Sequence, residues 1–364
     1  MKLFPFLIIA LILSSCTAYR YARYNFVGIE DYKIFPSRVL RKSENPFKFY
    51  PSKTNLIFPD TFSIEQSKWL PIEEVLKKSR TVSYLIIRND TILYNWQDEK
   101  YGKTTPVLSF SMAKSITSIL FGCAVRDGYI KSVSDKVISY VPELSYMKGI
   151  EQLTLEHLLN MVSGIDFDEN YNSPFSNVVK MYYGPSFNKV LKKLKFKYTP
   201  GEKFKYQNGD TQLLGLILQR ALKGKNITDY CNENIWEPLQ MENDAMWNIF
   251  DKDKLEKTFC GIGATAIDYA KIGRLYLNKG NWNGKQLVPE VWVKDSWTYK
   301  NPVYKQRSYC YQWWGESDSQ FVADGHNGQY IFTDTKKKIV IIRLGYTRDN
   351  FAWMRHFKTI SERL

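Results

Sequence analysis

No Gly-x-Ser-x-Gly stands anywhere in the 364 residues, so the strained turn that presents a nucleophilic serine in α/β-hydrolases has no local sequence to build it. Histidine is scarce, at three residues, which leaves little for a Ser-His-Asp relay or a histidine-rich metal centre. No Cys-x-x-Cys occurs, which excludes zinc ribbons and thioredoxin-type redox pairs. Apart from Cys16, the cysteines are Cys123, Cys231, Cys260 and Cys310, all read as structural, with Cys123 a buried thiol. No long apolar run reaches the ~20 residues of a membrane span. No dominant block of one charge appears, although the net charge is +14. The lysines are spread, as in "LKKLKFKY" and "TKKKIV", with no helix-turn-helix, zinc-finger or aromatic RNA-binding signature beside them. They read as a solvated surface, and no nucleic-acid partner is expected. What is abundant is apolar and aromatic: 44% hydrophobic residues, ten Trp, 25 Tyr and 21 Phe, ample for a packed core in one large domain or two.

The N-terminus carries a short basic start at Lys2, an apolar run from Leu3 to Leu13 and then small residues. That pattern reads as a secretory signal over residues 1–15. Leu13-Ser14-Ser15-Cys16 resembles a bacterial lipobox, which implies a lipid on Cys16 and anchorage to a membrane of the bacterial cell envelope, on its periplasmic or surface side. Several acyl chains, at ~0.8 kcal/mol per buried methylene, would hold the chain there. Export also excludes most ATP- or NAD-dependent chemistry, and no cofactor or metal is expected. Residues 16–55 lack sustained periodicity and read as a tether and irregular lead-in, followed by a domain over 56–364.

Within that domain, "SIEQSKWLPIEEVLKKS" (63–79) predicts one or two short helices around Pro71. "TVSYLIIRNDTILYNW" (81–96) predicts a β-hairpin turning at Asn89-Asp90. Helical patterns run from Ser111 to about Tyr276. Strand signals return in "YCYQWWG" (309–315), "GQYIFT" (328–333) and "KIVIIRLG" (338–345), and a last amphipathic helix is expected over Phe351 to Arg363. The expected fold class is α/β (α+β): one antiparallel sheet built from both ends of the chain, with terminal helices on it and a mostly helical region, about 111–280, inserted.

Three short segments bear on chemistry. Ser111-Met112-Ala113-Lys114 places a hydroxyl and an amine three residues apart, close enough on a helix to meet. The same spacing at Ser145/Lys148 and Ser186/Lys189 shows that it decides nothing alone. Apolar Phe110, Met112 and Ile116 beside it favour a desolvated lysine of lowered pKa. Tyr206-Gln207-Asn208 follows a Pro-Gly turn, and His326-Asn327-Gly328-Gln329 opens a strand. In this order the three segments resemble the marks of the serine β-lactamase and penicillin-binding superfamily: Ser-x-x-Lys, Tyr-x-Asn and Lys/His-x-Gly. The resemblance runs from about Thr81 to Tyr346. It includes "LTLEHLLNMVSGIDFDE" and "GIGATAIDYAKIGRLYLNKGNWNGKQLVP", both of the class C-like branch, and is nearest in look to the aminohexanoate-oligomer hydrolases and esterases.

The resemblance implies Ser111 as nucleophile, Lys114 as its base, and Tyr206 as a proton shuttle to the leaving group. It gives Asn208 to orienting Lys114 or binding substrate. The backbone N–H groups of Ser111 and Gln329 would form an oxyanion hole, with Gly328 allowing close backbone approach to the acyl group. His326 would contact substrate or stand as a buried structural imidazole, Tyr171 would cover the cleft, and His157 would pack a helix. The implied activity is an exported serine hydrolase of small esters or linear amides. The alternatives are a D-Ala-D-Ala carboxypeptidase or β-lactamase, and a non-catalytic wall-binding relative.

Overall fold

The computed structural model describes residues 17–24, 27–53, 62–65, 68–298, 303–347 and 351–364. Thr81–Arg88 and Thr91–Gln97 pair antiparallel through Asn89 and Asp90, whose φ values of 47° and 62° give the left-handed turn a two-residue hairpin needs. Ile339–Gly345 pairs antiparallel with Thr81–Arg88, Ile341 standing opposite Ile86, so the two ends of the chain close one sheet. Its eight strands run Ser308–Cys310, Trp313–Gly315, Gln320–Gly325, Gln329–Asp334, Ile339–Gly345, Thr81–Arg88, Thr91–Gln97 and Tyr50–Pro51, with only the last pairing parallel. The 309–315 run is thus a hairpin and not one strand, turned at Tyr311 and Gln312 with φ of 42° and 68°.

Helix α1 spans Met112–Arg126, α2 Asn208–Ala221, α3 Ala266–Leu277 and α4 Trp353–Arg363. On one face of the sheet, Tyr84, Ile86, Phe332 and Ile341 bury against Trp353, Phe357 and Ile360 of α4 and against Val75 and Leu76 of the short helix Ile72–Lys78. On the other face, Leu85, Ile87, Ile331, Val340 and Ile342 meet the larger core. There α3 comes so close that a Cβ on Gly273 would lie 2.6 Å from Val340 Cγ1. With both faces covered, Ile339–Gly345 is buried along its whole length, which explains its unbroken apolar pattern.

Three sequence expectations change. Of residues 63–79, only Ile72–Lys78 is helical, while Phe62–Glu65 pairs antiparallel with Lys68–Leu70. Pro71 is the cause: its ring disfavours helical backbone at Leu70 and is tolerated just before the helix. The inserted region is not wholly helical, because Ala245–Asn248 and Ile262–Ala264 join Ser37–Leu40 and Val107–Leu108 in a second antiparallel sheet. Strands of two to four residues are too short to print a period of two. The lead-in is also packed structure from Ile29 on: Ile29, Tyr32, Phe35, Leu40 and Phe49 are all buried in the core. Residues 1–15 and Cys16 lie outside the described residues. Among the described residues no helix is long and apolar enough to cross a membrane, no group of three or more His, Cys, Asp or Glu is placed to hold a metal ion, and Cys123, Cys231, Cys260 and Cys310 are buried.

Candidate active site

Ser111 stands where the short strand Val107–Leu108 turns into α1. Phe110, just before it, has φ 45°, a left-handed conformation that is uncommon for a bulky side chain. The surroundings hold it there: Ser109 N–H donates to the Ile262 carbonyl at 2.6 Å, and the buried Phe110 ring meets His326 edge-on at 5.5 Å. The N–H groups of Met112, Ala113 and Lys114 bond to the carbonyls of Ser109, Phe110 and Ser111, which leaves Ser111 at the head of the helix. Residues 112 to 124 are all buried, so α1 is a central helix whose one lysine points inward.

Lys114 is 1% exposed. Its Nζ donates to Ser111 Oγ at 3.0 Å, Asn208 Oδ1 at 2.7 Å and the Phe259 carbonyl at 2.9 Å. Three acceptors match the three protons of an ammonium group. Burial nevertheless pulls its pKa down to about 8, against an opposing pull from Glu169. Loss of one proton would leave a free lone pair for a proton from Ser111 Oγ.

The Tyr206 hydroxyl stands near the Ser111 side chain, and burial raises its pKa, so it rests as a neutral phenol. Its ring stacks on Trp314 at 5.5 Å and meets Tyr309 edge-on at 5.6 Å, a setting that fixes the hydroxyl. Lys114 Nζ lies 5.2 Å from the centre of the same ring. Of the two possible bases on Ser111, burial moves the lysine toward its neutral form and the tyrosine away from its ionised one.

Asn208 opens α2 and links the lysine to a second layer of groups. Its Nδ2 donates to Glu169 Oε2 and to Tyr171 Oη, both at 2.7 Å, and its backbone N–H to Glu169 Oε1 at 2.5 Å. With both Nδ2 protons committed, Oδ1 can only face Lys114. Burial raises the pKa of Glu169, and the Asn208 bonds and Lys114 oppose that shift. Tyr171 is 59% exposed as a residue, yet its hydroxyl accepts from Asn208 beside Lys114, so the ring is at the surface with its polar tip inward. In the first turn of α2, the buried Asp210 accepts from Ser163 Oγ and Gln207 Nε2, both at 2.7 Å, and burial raises its pKa to about 7.

The third segment is a tight turn between two strands of the main sheet. His326 is exposed, which removes the buried-imidazole reading. Gly328 has φ 75°, and a Cβ there would fall 1.8 Å from Arg343 Nη1. The glycine therefore makes room for a buried guanidinium, a different reason from the expected approach to an acyl group. Arg343 donates to the carbonyls of Gly328 at 2.9 Å, Asn327 at 3.3 Å and Ser79 at 2.7 Å, bracing the turn from behind. The Gln329 side chain is equally structural: its Nε2 donates to the Gly345 carbonyl at 2.6 Å, and its Oε1 accepts from Gly345 N–H at 3.0 Å. The Gln329 backbone opens the strand Gln329–Asp334. It pairs with Gly325, where a Cβ would meet the Ser109 carbonyl at 2.3 Å. His157 closes a capping box with Thr154 at the start of Leu155–Leu159 and takes no part in the site.

The structure thus brings Ser111, Lys114, Tyr206, Asn208 and Tyr171 together. Sequence reasoning missed Glu169, the Phe259 carbonyl and the Trp314 platform. Glu169 ends a stretch singled out for its likeness, "LTLEHLLNMVSGIDFDE", but nothing local distinguished it from Asp166 and Asp168.

The family model described as Beta-lactamase matches residues 72–350. By sequence, the chain is similar to the 6-aminohexanoate-dimer hydrolase of Paenarthrobacter ureafaciens, with 25% identity over 298 residues, 75% of this chain and 74% of that one. It is also similar to Protein flp of Staphylococcus aureus strain MW2, with 28% identity over 191 residues that cover 47% of this chain and 36% of that protein. Among solved structures, a Bacillus anthracis protein provisionally described as a 6-aminohexanoate-dimer hydrolase superposes with a TM-score of 0.76 at 22% identity, covering 94% of this chain and 92% of that one. A penicillin binding protein from Bacillus halodurans gives 0.65 at 16% identity, with 79% and 99% covered. At these identities the structural likenesses establish the fold.

Proposed function

The chain belongs to the beta-lactamase family of serine hydrolases, and from that premise we propose that it cleaves small esters or linear amides through an acyl-enzyme on Ser111. The observation that carries this reading is the buried Lys114 amine, 3.0 Å from Ser111 Oγ and pulled down to a pKa of about 8. Neutral Lys114 takes the Ser111 proton as Oγ adds to the substrate carbonyl. The oxyanion lies against the backbone N–H groups of Ser111 and Gln329, where one donor is typically worth ~10²–10³ in rate. Tyr206 gives its phenolic proton to the leaving alkoxide or amine as the bond to the acyl carbon breaks, and Lys114 restores it. Water then adds to the ester carbonyl of the acyl-enzyme, its proton taken by the same pair, which passes a proton to Ser111 Oγ as the bond to the acyl carbon breaks and the acid departs. Asn208, held by Glu169 and Tyr171, keeps Lys114 aimed.

The substrate class rests on His326. His326 stands where the third motif can carry a lysine, and an exposed imidazole lacks a lysine's fixed positive charge for clamping a substrate carboxylate. The similarity to a relative named for hydrolysing a linear amide dimer supports the same choice. We expect kcat/KM for p-nitrophenyl butyrate to exceed that for nitrocefin. A clearly higher value for nitrocefin would overturn the ester and amide preference.

Residues 1–15 fit a signal for export and Cys16 a lipidated N-terminus facing the periplasm or cell surface. Mass spectrometry of the cell-derived protein should find a diacylglyceryl-modified Cys16. An unmodified mature N-terminus elsewhere would contradict the anchor.

A further inference from the structure

The loop over residues 168–176 carries two exposed aromatics. Tyr171 turns its hydroxyl into the site, whereas Phe175, 75% exposed, lines a separate cavity of about 810 Å³. Six lining side chains are basic (Arg20, Lys180, Lys189, Lys193, Lys195 and Lys252) against three aspartates. Those aspartates neutralise little of it. Asp166 pairs with Lys195 at 3.5 Å, and Asp251 pairs outside the cavity lining with Lys254 at 3.2 Å. Among the described residues Lys180, Lys189, Lys193 and Lys252 have no ion-pair partner, and all four are exposed.

Thr17 lines the same cavity. The helix Thr17–Arg23 lies along Asn177–Tyr183, with Arg20 Nη1 donating to the Tyr183 carbonyl at 3.4 Å and Tyr21 edge-on to Tyr183 at 6.0 Å. Cys16, the residue proposed to carry lipid, is joined to Thr17 and so enters the described protein at this cavity's rim. Unpaired lysines around a recess and an exposed phenylalanine at its edge form one surface, next in the chain to the proposed lipid attachment point. Basic side chains attract anionic headgroups, and an aromatic ring beside them fits the boundary between headgroups and acyl chains.

We propose that this cavity docks the phosphate headgroups of anionic phospholipids, with Phe175 entering the interfacial layer. The contact is independent of the hydrolase reading, because no group of the Ser111 site takes part in it. It fixes an orientation in which the loop bearing Glu169 and Tyr171 is braced at the lipid surface.

The test uses the full chain mixed with vesicles of phosphatidylcholine, alone or with about one third phosphatidylglycerol, and follows lysine acetylation by mass spectrometry. Lys180, Lys189, Lys193 and Lys252 should acetylate about fivefold more slowly on the anionic vesicles, while Lys131 and Lys285, exposed and outside the cavity, should not change. In a Lys189→Glu/Lys193→Glu variant, the protection of Lys180 and Lys252 should disappear. Equal rates on both vesicles, or a uniform slowing of all six lysines, would overturn the proposal. Equal protection by glycerol phosphate without vesicles would overturn it in favour of a soluble-anion site.

Discussion

Replacing Ser111 by alanine is expected to lower kcat/KM by roughly 10⁴-fold or more, the scale on which a covalent nucleophile's removal is felt. The fold should survive. The Ser111 side chain makes no capping bond to α1, and Lys114 keeps Asn208 Oδ1 and the Phe259 carbonyl as acceptors when Oγ is lost. Alanine also suits the helical φ of −67° at this position. Thermal unfolding should stay within a few degrees of wild type while hydrolysis of p-nitrophenyl butyrate falls to background. A folded Ser111→Ala protein with undiminished turnover would remove Ser111 from the chemistry.

Lys114→Met should cost about 10³-fold or more in kcat/KM, because it removes a base that the site offers no replacement for. Tyr206 cannot substitute, since burial raises its pKa and the phenolate is less accessible than in water. The pH profile separates this role from a packing role. Lys114 must be neutral to accept the Ser111 proton, and its pKa is lowered to about 8. Wild-type kcat/KM should therefore rise with pH and level off above about 8, and the residual activity of Lys114→Met should lack that limb. Some stability will also go, because the Asn208 and Phe259 oxygens are left buried without their donor. Near-UV circular dichroism of the variant checks that the loss of rate is not a loss of fold. An unchanged acid limb in the variant would assign the titration to another group.

The parts legible in the sequence are those in which a few neighbouring residues dictate geometry. Ser111 and Lys114 meet because three residues make nearly one helical turn, and Tyr206 and Asn208 sit together where a Pro-Gly turn feeds α2. The Asn89-Asp90 hairpin and the terminal helix Trp353–Arg363 are local in the same sense. Glu169 is different. It meets Asn208 across 39 positions of chain, from a loop with no period, and only the fold brings them together. The lead-in shows the same limit, since Ile29, Tyr32 and Phe35 become core only through partners such as Tyr182, whose hydroxyl donates to Asp31 at 2.8 Å. Gly328 was legible as a constrained position but not for its reason, because Arg343 arrives from the next strand.

The account stands on a covalent bond to Ser111 Oγ. The direct measurement is to treat the active protein with a fluorophosphonate, digest it and locate the adduct by mass spectrometry. The account predicts one phosphonyl group per chain, on the peptide containing Ser111, formed in step with loss of esterase activity and faster above pH 8 than below it. Full inhibition with the adduct on another residue, or an active protein that stays unlabelled, would contradict it.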